Sequence, residues 1–254
     1  MTGSKAGAVE MFTPPSDLDP VERAMTYPYH IPDCSYLLRD GSWEPAQIGP
    51  RETAGRIPVI ATGSNRSPEQ LARKYADFET ATIPVQRAWL GDFDVVFAAH
   101  ITGYGSISAN LLPSPGVRVD LSVTWLSEEL MARMHATEGR GHSYDYSALS
   151  GLALETEGGP VLDSAFAYIH RGGALTVDGA LRGIAEISAE GRSYPSWHQP
   201  QAIAEAHRRL SHDGTVESFI HENIADRDLR FARETVLQED AVGFAWAQTQ
   251  VVEA

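Results

Sequence analysis

The stretch that most constrains this chain runs from Ile57 to Phe78, where a strand-forming run passes through one glycine turn straight into a helix. IPVIATG is β-branched, apolar and ended by Gly63, as a buried strand would be. SNRSPEQLARKYADF then carries helix-start signals in order. Ser67 takes the N-cap position, Pro68 stands at N1, and Gln70 completes an S-x-x-Q capping box. Leu71, Tyr75 and Phe78 recur at helical spacing behind them.

Downstream, IPVQRAWL, DFDVVFAAHI and VRVDLSVTWL read as three further strands, the last with period-2 alternation. GYGSISA at 103–109 reads as a bend between strands. Ser127 caps a second helix, with Glu128 and Glu129 at its positive end and Leu126 and Met131 placed as a hydrophobic staple. SYDYSALSGLAL and SAFAYIH are strand-like. From Gln201 to about Gln238 the pattern is helical, with Ile203, Leu210, Val216, Ile220, Ile224 and Leu229 expected to point inward. Upstream of Ile57 the prolines at 14, 15, 20, 28, 32, 45 and 50 allow only short extended pieces such as CSYLLRD and turns such as Asp40-Gly41. That segment is expected to lie as an arm over the rest.

Composition removes several function classes. The 254 residues carry 20 Lys+Arg against 34 Asp+Glu, a net charge of −14. Binding a nucleic acid or an anionic membrane surface draws on clustered cations, so neither partner is expected. Only Lys5 and Lys74 are lysines, the other basic residues being arginine, so a GK[ST] phosphate loop or a Schiff-base lysine is not expected either. The arginine bias also suits a GC-rich bacterial genome. The single cysteine, Cys34, allows no intrachain disulfide and no thiolate cluster, and no H-E-x-x-H occurs among the nine histidines. MTGSKAGAVEMFTPPSD has no apolar signal core, and apolar runs stop far short of the roughly 20 residues a spanning helix needs. The expectation is a soluble, cytoplasmic protein without a metal site.

Two features bear on chemistry. On the helix opened by Ser127, Leu130 and Met134 share a face, and the next position four along is Glu138, followed by Gly139. A glutamate on an apolar stripe is desolvated, its pKa rises, and it can move protons near neutral pH. Periodicity equally allows Glu138 to lie past the helix end and turn to water. The second feature is Gly63-Ser64-Asn65, where backbone N–H groups next to a helix start can cradle a carboxylate or an oxyanion. A purely structural turn would use the same residues.

In order and spacing, VIATGSNRSPEQL, PSPGVRVDLSVTW, LMARMHATEG and GHSYDYSAL resemble the γ-glutamylcyclotransferase superfamily over roughly residues 57–170. Thr62 stands where that family has a loop tyrosine, Leu121 where it has glycine, and Asp145 where it has a tyrosine, here flanked by Tyr144 and Tyr146. The resemblance implies an α+β fold with a small mixed β-barrel flanked by helices at 57–190; an added N-terminal arm at 1–56, packing on that core, and a C-terminal helical extension at 191–254 are expected outside it. It implies cleavage of a small γ-glutamyl-like amide by intramolecular cyclisation, with Glu138 as general acid/base. Thr62, Gly63, Ser64, Asn65, Tyr144 and Tyr146 would bind the substrate, and no cofactor or metal would be needed. A small molecule is the expected partner, with a homodimer possible through the extensions. A hydrolase or lyase of another small amide or lactam on the same fold, or a non-catalytic binding protein, remain as alternative readings.

Overall fold

The computed structural model describes residues 18–253; the first part of the expected arm, including Lys5, lies outside the described residues. Helix α1 (Pro20–Met25) leads to a hairpin of β1 (Tyr36–Arg39) and β2 (Ser42–Pro45), then the short α2 (Pro50–Thr53). Strand β3 (Ile57–Ala61) passes through a 3₁₀ turn at Ser64–Arg66 into α3 (Pro68–Lys74). The long β4 (Thr82–Ile101) and β5 (Ile107–Leu126) precede α4 (Glu128–Thr137), β6 (Tyr144–Thr156) and β7 (Val161–His170). Short strands between 176 and 197 lead to α5 (Gln199–Arg209), α6 (Val216–Ala225) and α7 (Arg227–Leu237), and Thr249–Val251 adds an edge strand to β6.

Five strands close on themselves in the order β5-β3-β7-β6-β4, with β4 pairing back onto β5. Only β3 and β7 are parallel within that ring, so this is a mixed barrel in an α+β fold. Alternation along β5 shows how the sequence specifies it. Val119, Leu121 and Val123 join the main core, while Asp120, Ser122 and Thr124 face the other way. The main core continues to Ile203, Phe219 and Leu237 of the C-terminal helices. A second cluster, with Leu71, Tyr75, Leu130, Met131 and Met134, seats α3 and α4 against Val59 and Val85. No helix among the described residues is long and apolar enough to cross a membrane.

Several expectations need correction. The runs IPVQRAWL and DFDVVFAAHI form one 20-residue strand, because Gly91-Asp92 makes a bulge that bends β4 without ending it. Asp92 takes φ +62° there, and its Oδ1 accepts the Gly116 N–H at 2.8 Å. Helix α3 ends at Lys74, and the capping box is not made: Ser67 is at the N-cap without a side-chain bond, its hydroxyl buried and unpartnered. The 201–238 region forms three helices, and the breaks at 210–215 and 226 reset the phase between them. Ile203 and Ile220 are buried as expected, but Leu229 is exposed, and Phe219 and Leu237 take inward positions that were not expected. The Asp40-Gly41 hairpin does more than drape over the core. Its β1 extends the sheet, with Leu38 opposite Ile83 of β4.

Candidate active site

Ser127 accepts the Leu130 N–H at 3.4 Å and fixes the start of α4, so Leu130 and Met134 are buried. Glu138 is the C-cap residue, its N–H still donating to the Met134 carbonyl at 3.0 Å. Gly139 then turns away with φ +59°, a left-handed conformation that suits glycine. The carboxylate stays on the apolar face, with the side chain 16% exposed.

It does not sit there alone. Lys74, whose side chain is 4% exposed, reaches across from the end of α3 and forms an ion pair with Glu138 Oε1. Asn65 Nδ2 donates to the same oxygen at 3.0 Å, and Lys74 Nζ donates to Asn65 Oδ1 at 2.9 Å, closing a three-residue ring. Glu138 Oε2 takes no hydrogen bond from any described residue. Burial pushes the Glu138 pKa up, but the Lys74 charge, the bonds from Lys74 and Asn65, and a smaller contribution from His100 together outweigh it. The carboxyl is held below the ordinary glutamate range. The raised pKa expected from periodicity is therefore overturned, because that reading had no cation beside the carboxylate. Lys74, set aside on sequence grounds, is the missing element.

The 3₁₀ turn bearing Asn65 is clamped from behind. Arg66 is buried, donating to Asp120 Oδ1 at 2.6 Å, to the Asp120 carbonyl at 2.9 Å and to Ser122 Oγ at 3.3 Å. Asp120 is also held by Arg87, at 3.0 and 2.6 Å, and Tyr36 donates to the Arg66 carbonyl at 2.9 Å. Leu121, between the two residues that bind Arg66, points into the barrel core and does not line the site.

Around these groups lies a cavity of about 380 Å³. Thr62, Gly63, Ser64, Asn65, Glu138 and Tyr144 all line it. Tyr144 donates to Ser108 Oγ at 3.1 Å and packs edge-on against His170 and His100. Tyr146 is not brought to the cavity. It is buried in the second core cluster, stacked on Phe166 at 5.0 Å, and Tyr168 from the neighbouring strand lines the cavity. Asp145 lies outside it, 3.6 Å from Arg171. Sequence reasoning also missed the GYGSISA segment as a cavity wall: Gly103, Tyr104 and Ser108 all line it. The N-terminal segment supplies Tyr27, and α7 supplies Arg230 and Phe231. Burial raises the pKa of Tyr27, Tyr104 and Tyr144, so all three keep their protons.

His100 Nδ1 lies 2.9 Å from Glu234 Oε1, though out of line for a hydrogen bond, and Glu234 Oε1 accepts the Ile101 N–H at 3.1 Å. Burial, and then the neighbouring His100, push His170 down to about 3, so it is neutral at physiological pH. Cys34 lies elsewhere, in a groove with Gln47 and Glu157, where burial and the nearby Asp33 and Glu157 raise its thiol pKa. Among the described residues no group of three or more His, Cys, Asp or Glu is arranged to hold a metal ion.

No family model and no curated protein sequence matches the chain. Solved structures do. A γ-glutamyl cyclotransferase structure aligns at 14% identity with a TM-score of 0.37, over 78% of this chain and 94% of the other. An uncharacterized human protein gives 14% and 0.37 over 78% and 95%, and an Arabidopsis thaliana protein solved in solution gives 13% and 0.36 over 62% and 87%. The likeness is distant. The fold stands on the strand pairings and barrel closure above, and the chemistry on the side chains of the cavity.

Proposed function

We propose that this protein cleaves a small γ-glutamyl-like amide by intramolecular cyclisation, with Glu138 as the general base and acid. One observation carries the reading: an ionised carboxylate with one free oxygen shares a cavity with the Gly63–Asn65 turn and is tied to it through Asn65.

The substrate's α-ammonium would sit against Glu138 Oε2. Loss of a proton to the carboxylate frees the nitrogen lone pair, which attacks the side-chain amide carbonyl and forms the new C–N bond of a five-membered lactam. The carbonyl electrons move onto oxygen. They return as the old C–N bond breaks, releasing an amine and 5-oxoproline. Overall two protons pass from the α-nitrogen to the departing nitrogen, and a carboxylate that takes and returns them balances the reaction. Closing a ring within one molecule supplies a high effective concentration, so no external nucleophile is required. Lys74 keeps Glu138 ionised, which favours binding the ammonium, and the N–H groups of the turn are suited to the substrate carboxylate.

The test is incubation of wild type and Glu138→Gln with a panel of γ-glutamyl amines, measuring 5-oxoproline and free amine. Wild type is expected to release both in equal amounts and the variant neither. Equal turnover by the two proteins would remove Glu138 from the mechanism. Free amine without 5-oxoproline would point to hydrolysis.

A further inference from the structure

Tyr27 comes from the segment after α1, outside the barrel, and its hydroxyl stands directly over Gly63. A Cβ on Gly63 would overlap that hydroxyl and lie 3.1 Å from Tyr27 Cζ and 3.0 Å from Ala109 Cβ. Gly63 has φ −124°, outside the left-handed region, and what a side chain would lack here is space. The same phenolic oxygen accepts the main-chain N–H of Ala109 at 2.9 Å. Packing holds the ring in place. It stacks near Tyr104 at 6.4 Å and meets Tyr29 edge-on at 6.0 Å, while Ser106 Oγ ties the preceding turn down by donating to the Ala24 carbonyl at 2.9 Å.

A phenol that accepts one N–H still has its own proton to give. Among the described residues nothing accepts it, although Tyr27 is only 4% exposed and lines the cavity with Glu138. We propose that Tyr27 is a catalytic residue whose O–H hydrogen-bonds the amide oxygen that turns into the oxyanion during ring closure. This rests on the cyclisation proposed above. Glu138, held by Asn65, and Tyr27, standing over Gly63, would then act from the two ends of one turn. As the new C–N bond forms, negative charge collects on the amide oxygen and the Tyr27 bond to it shortens. As the old C–N bond breaks, the charge leaves again. Tyr27 holds its proton throughout, and burial, which raises its pKa, secures that. The bond accepted from Ala109 polarises the O–H and makes it a better donor.

Steady-state kinetics on a γ-glutamyl amide from the panel provide the test, with Tyr27→Phe compared against wild type and Glu138→Gln. Loss of one oxyanion donor is expected to lower kcat by about 10²–10³-fold, with KM nearly unchanged. A Tyr27→Phe protein with wild-type kcat beside an inactive Glu138→Gln protein overturns the role of Tyr27 and leaves that of Glu138 standing. A change confined to KM also overturns it. If wild type releases no 5-oxoproline from any substrate, both readings fall together. Should the phenylalanine variant not fold, site-specific replacement of Tyr27 by a difluorotyrosine keeps the ring and the Ala109 bond but makes the phenol more acidic. A more acidic phenol is a stronger hydrogen-bond donor, so kcat is then expected to rise with KM nearly unchanged, and an unchanged kcat overturns the proposal.

Discussion

Lys74 and Glu138 form a largely buried ion pair across the ends of α3 and α4, and Asn65 bonds to both of them. Removing the cation while keeping its bulk, in Lys74→Met, leaves the carboxylate with its burial cost and one neutral donor. The Glu138 pKa is then expected to rise, carrying the acid limb of kcat/KM to higher pH. Breaking a buried pair from one side costs about 3–5 kcal/mol, and the partial exposure of Glu138 favours the lower end. Urea unfolding at neutral pH and a pH–rate profile check the two effects; an unmoved acid limb would mean Lys74 does not set the state of Glu138.

The sign of the pH effect on stability follows from the same pair. The folded-state pKa of Glu138 lies below its unfolded value, so its contribution is fully present above about pH 4.3 and is lost as pH falls through the folded value. Glu138→Gln is expected to flatten that part of the acid-unfolding curve. It should also be less stable at neutral pH, because Lys74 is left buried without a counter-charge.

Glu138 was legible in the sequence because its cues are local: the Ser127 cap, the 130-134-138 spacing and the Gly139 stop all act within 13 residues. Lys74 carried a comparable cue, since Leu71, Lys74, Tyr75 and Phe78 fall at i, i+3, i+4 and i+7 of one helix face. A lysine on such a face reads as a stem that snorkels to water, and what keeps it inside is a carboxylate 64 residues later, invisible to any local pattern. Tyr27 had no periodic cue, because prolines break the N-terminal segment into pieces too short to show one. The closed barrel was suggested by the order of motifs. The fusion of two expected strands into β4 was not, because Gly91-Asp92 reads as an end where it is a bulge.

His170 gives a second, independent pH signature. Its pKa falls to about 3 in the folded protein, so it stays neutral there while an unfolded histidine takes up a proton below about pH 6.5. The unfolded state binds more protons between those values, and stability is expected to decline as pH drops from about 6.5 towards 3. Denaturant unfolding at closely spaced pH values measures the slope. In His170→Asn the decline between pH 6.5 and 5 should shrink, and an unchanged slope there would assign the proton uptake to another group.

Arg66 links the active-site turn to β5 through Asp120 and Ser122. Arg66→Met should cost about 3 kcal/mol or more, since it leaves Asp120 buried with only Arg87 as a cation. It should also lower turnover more than substrate affinity, because Asn65 would no longer be fixed against Glu138. Asp120→Asn strips buried Arg66 of its counter-charge and sets an amide NH2 against one of the two guanidinium groups, so it is expected to cost a comparable amount of stability. If Arg66→Met loses stability but retains full kcat, the clamp serves the fold alone.

Gly63 and Tyr27 make a steric claim that can be measured apart from catalysis. An added methyl at position 63 would collide with the Tyr27 hydroxyl and crowd Ala109 Cβ at 3.0 Å. Tyr27 is walled in by Tyr104 and Tyr29, so it cannot simply swing aside. Gly63→Ala is therefore expected to cost about 1–3 kcal/mol, the usual range for overpacking. In a Tyr27→Ala background the main obstruction is gone, and the same substitution should cost markedly less, with the Ala109 contact accounting for what remains. The double-mutant cycle should yield a coupling of at least about 1 kcal/mol between the two positions. Equal costs in the two backgrounds would show that the tyrosine does not occupy the space above the turn, and would remove its hydroxyl from the site as well.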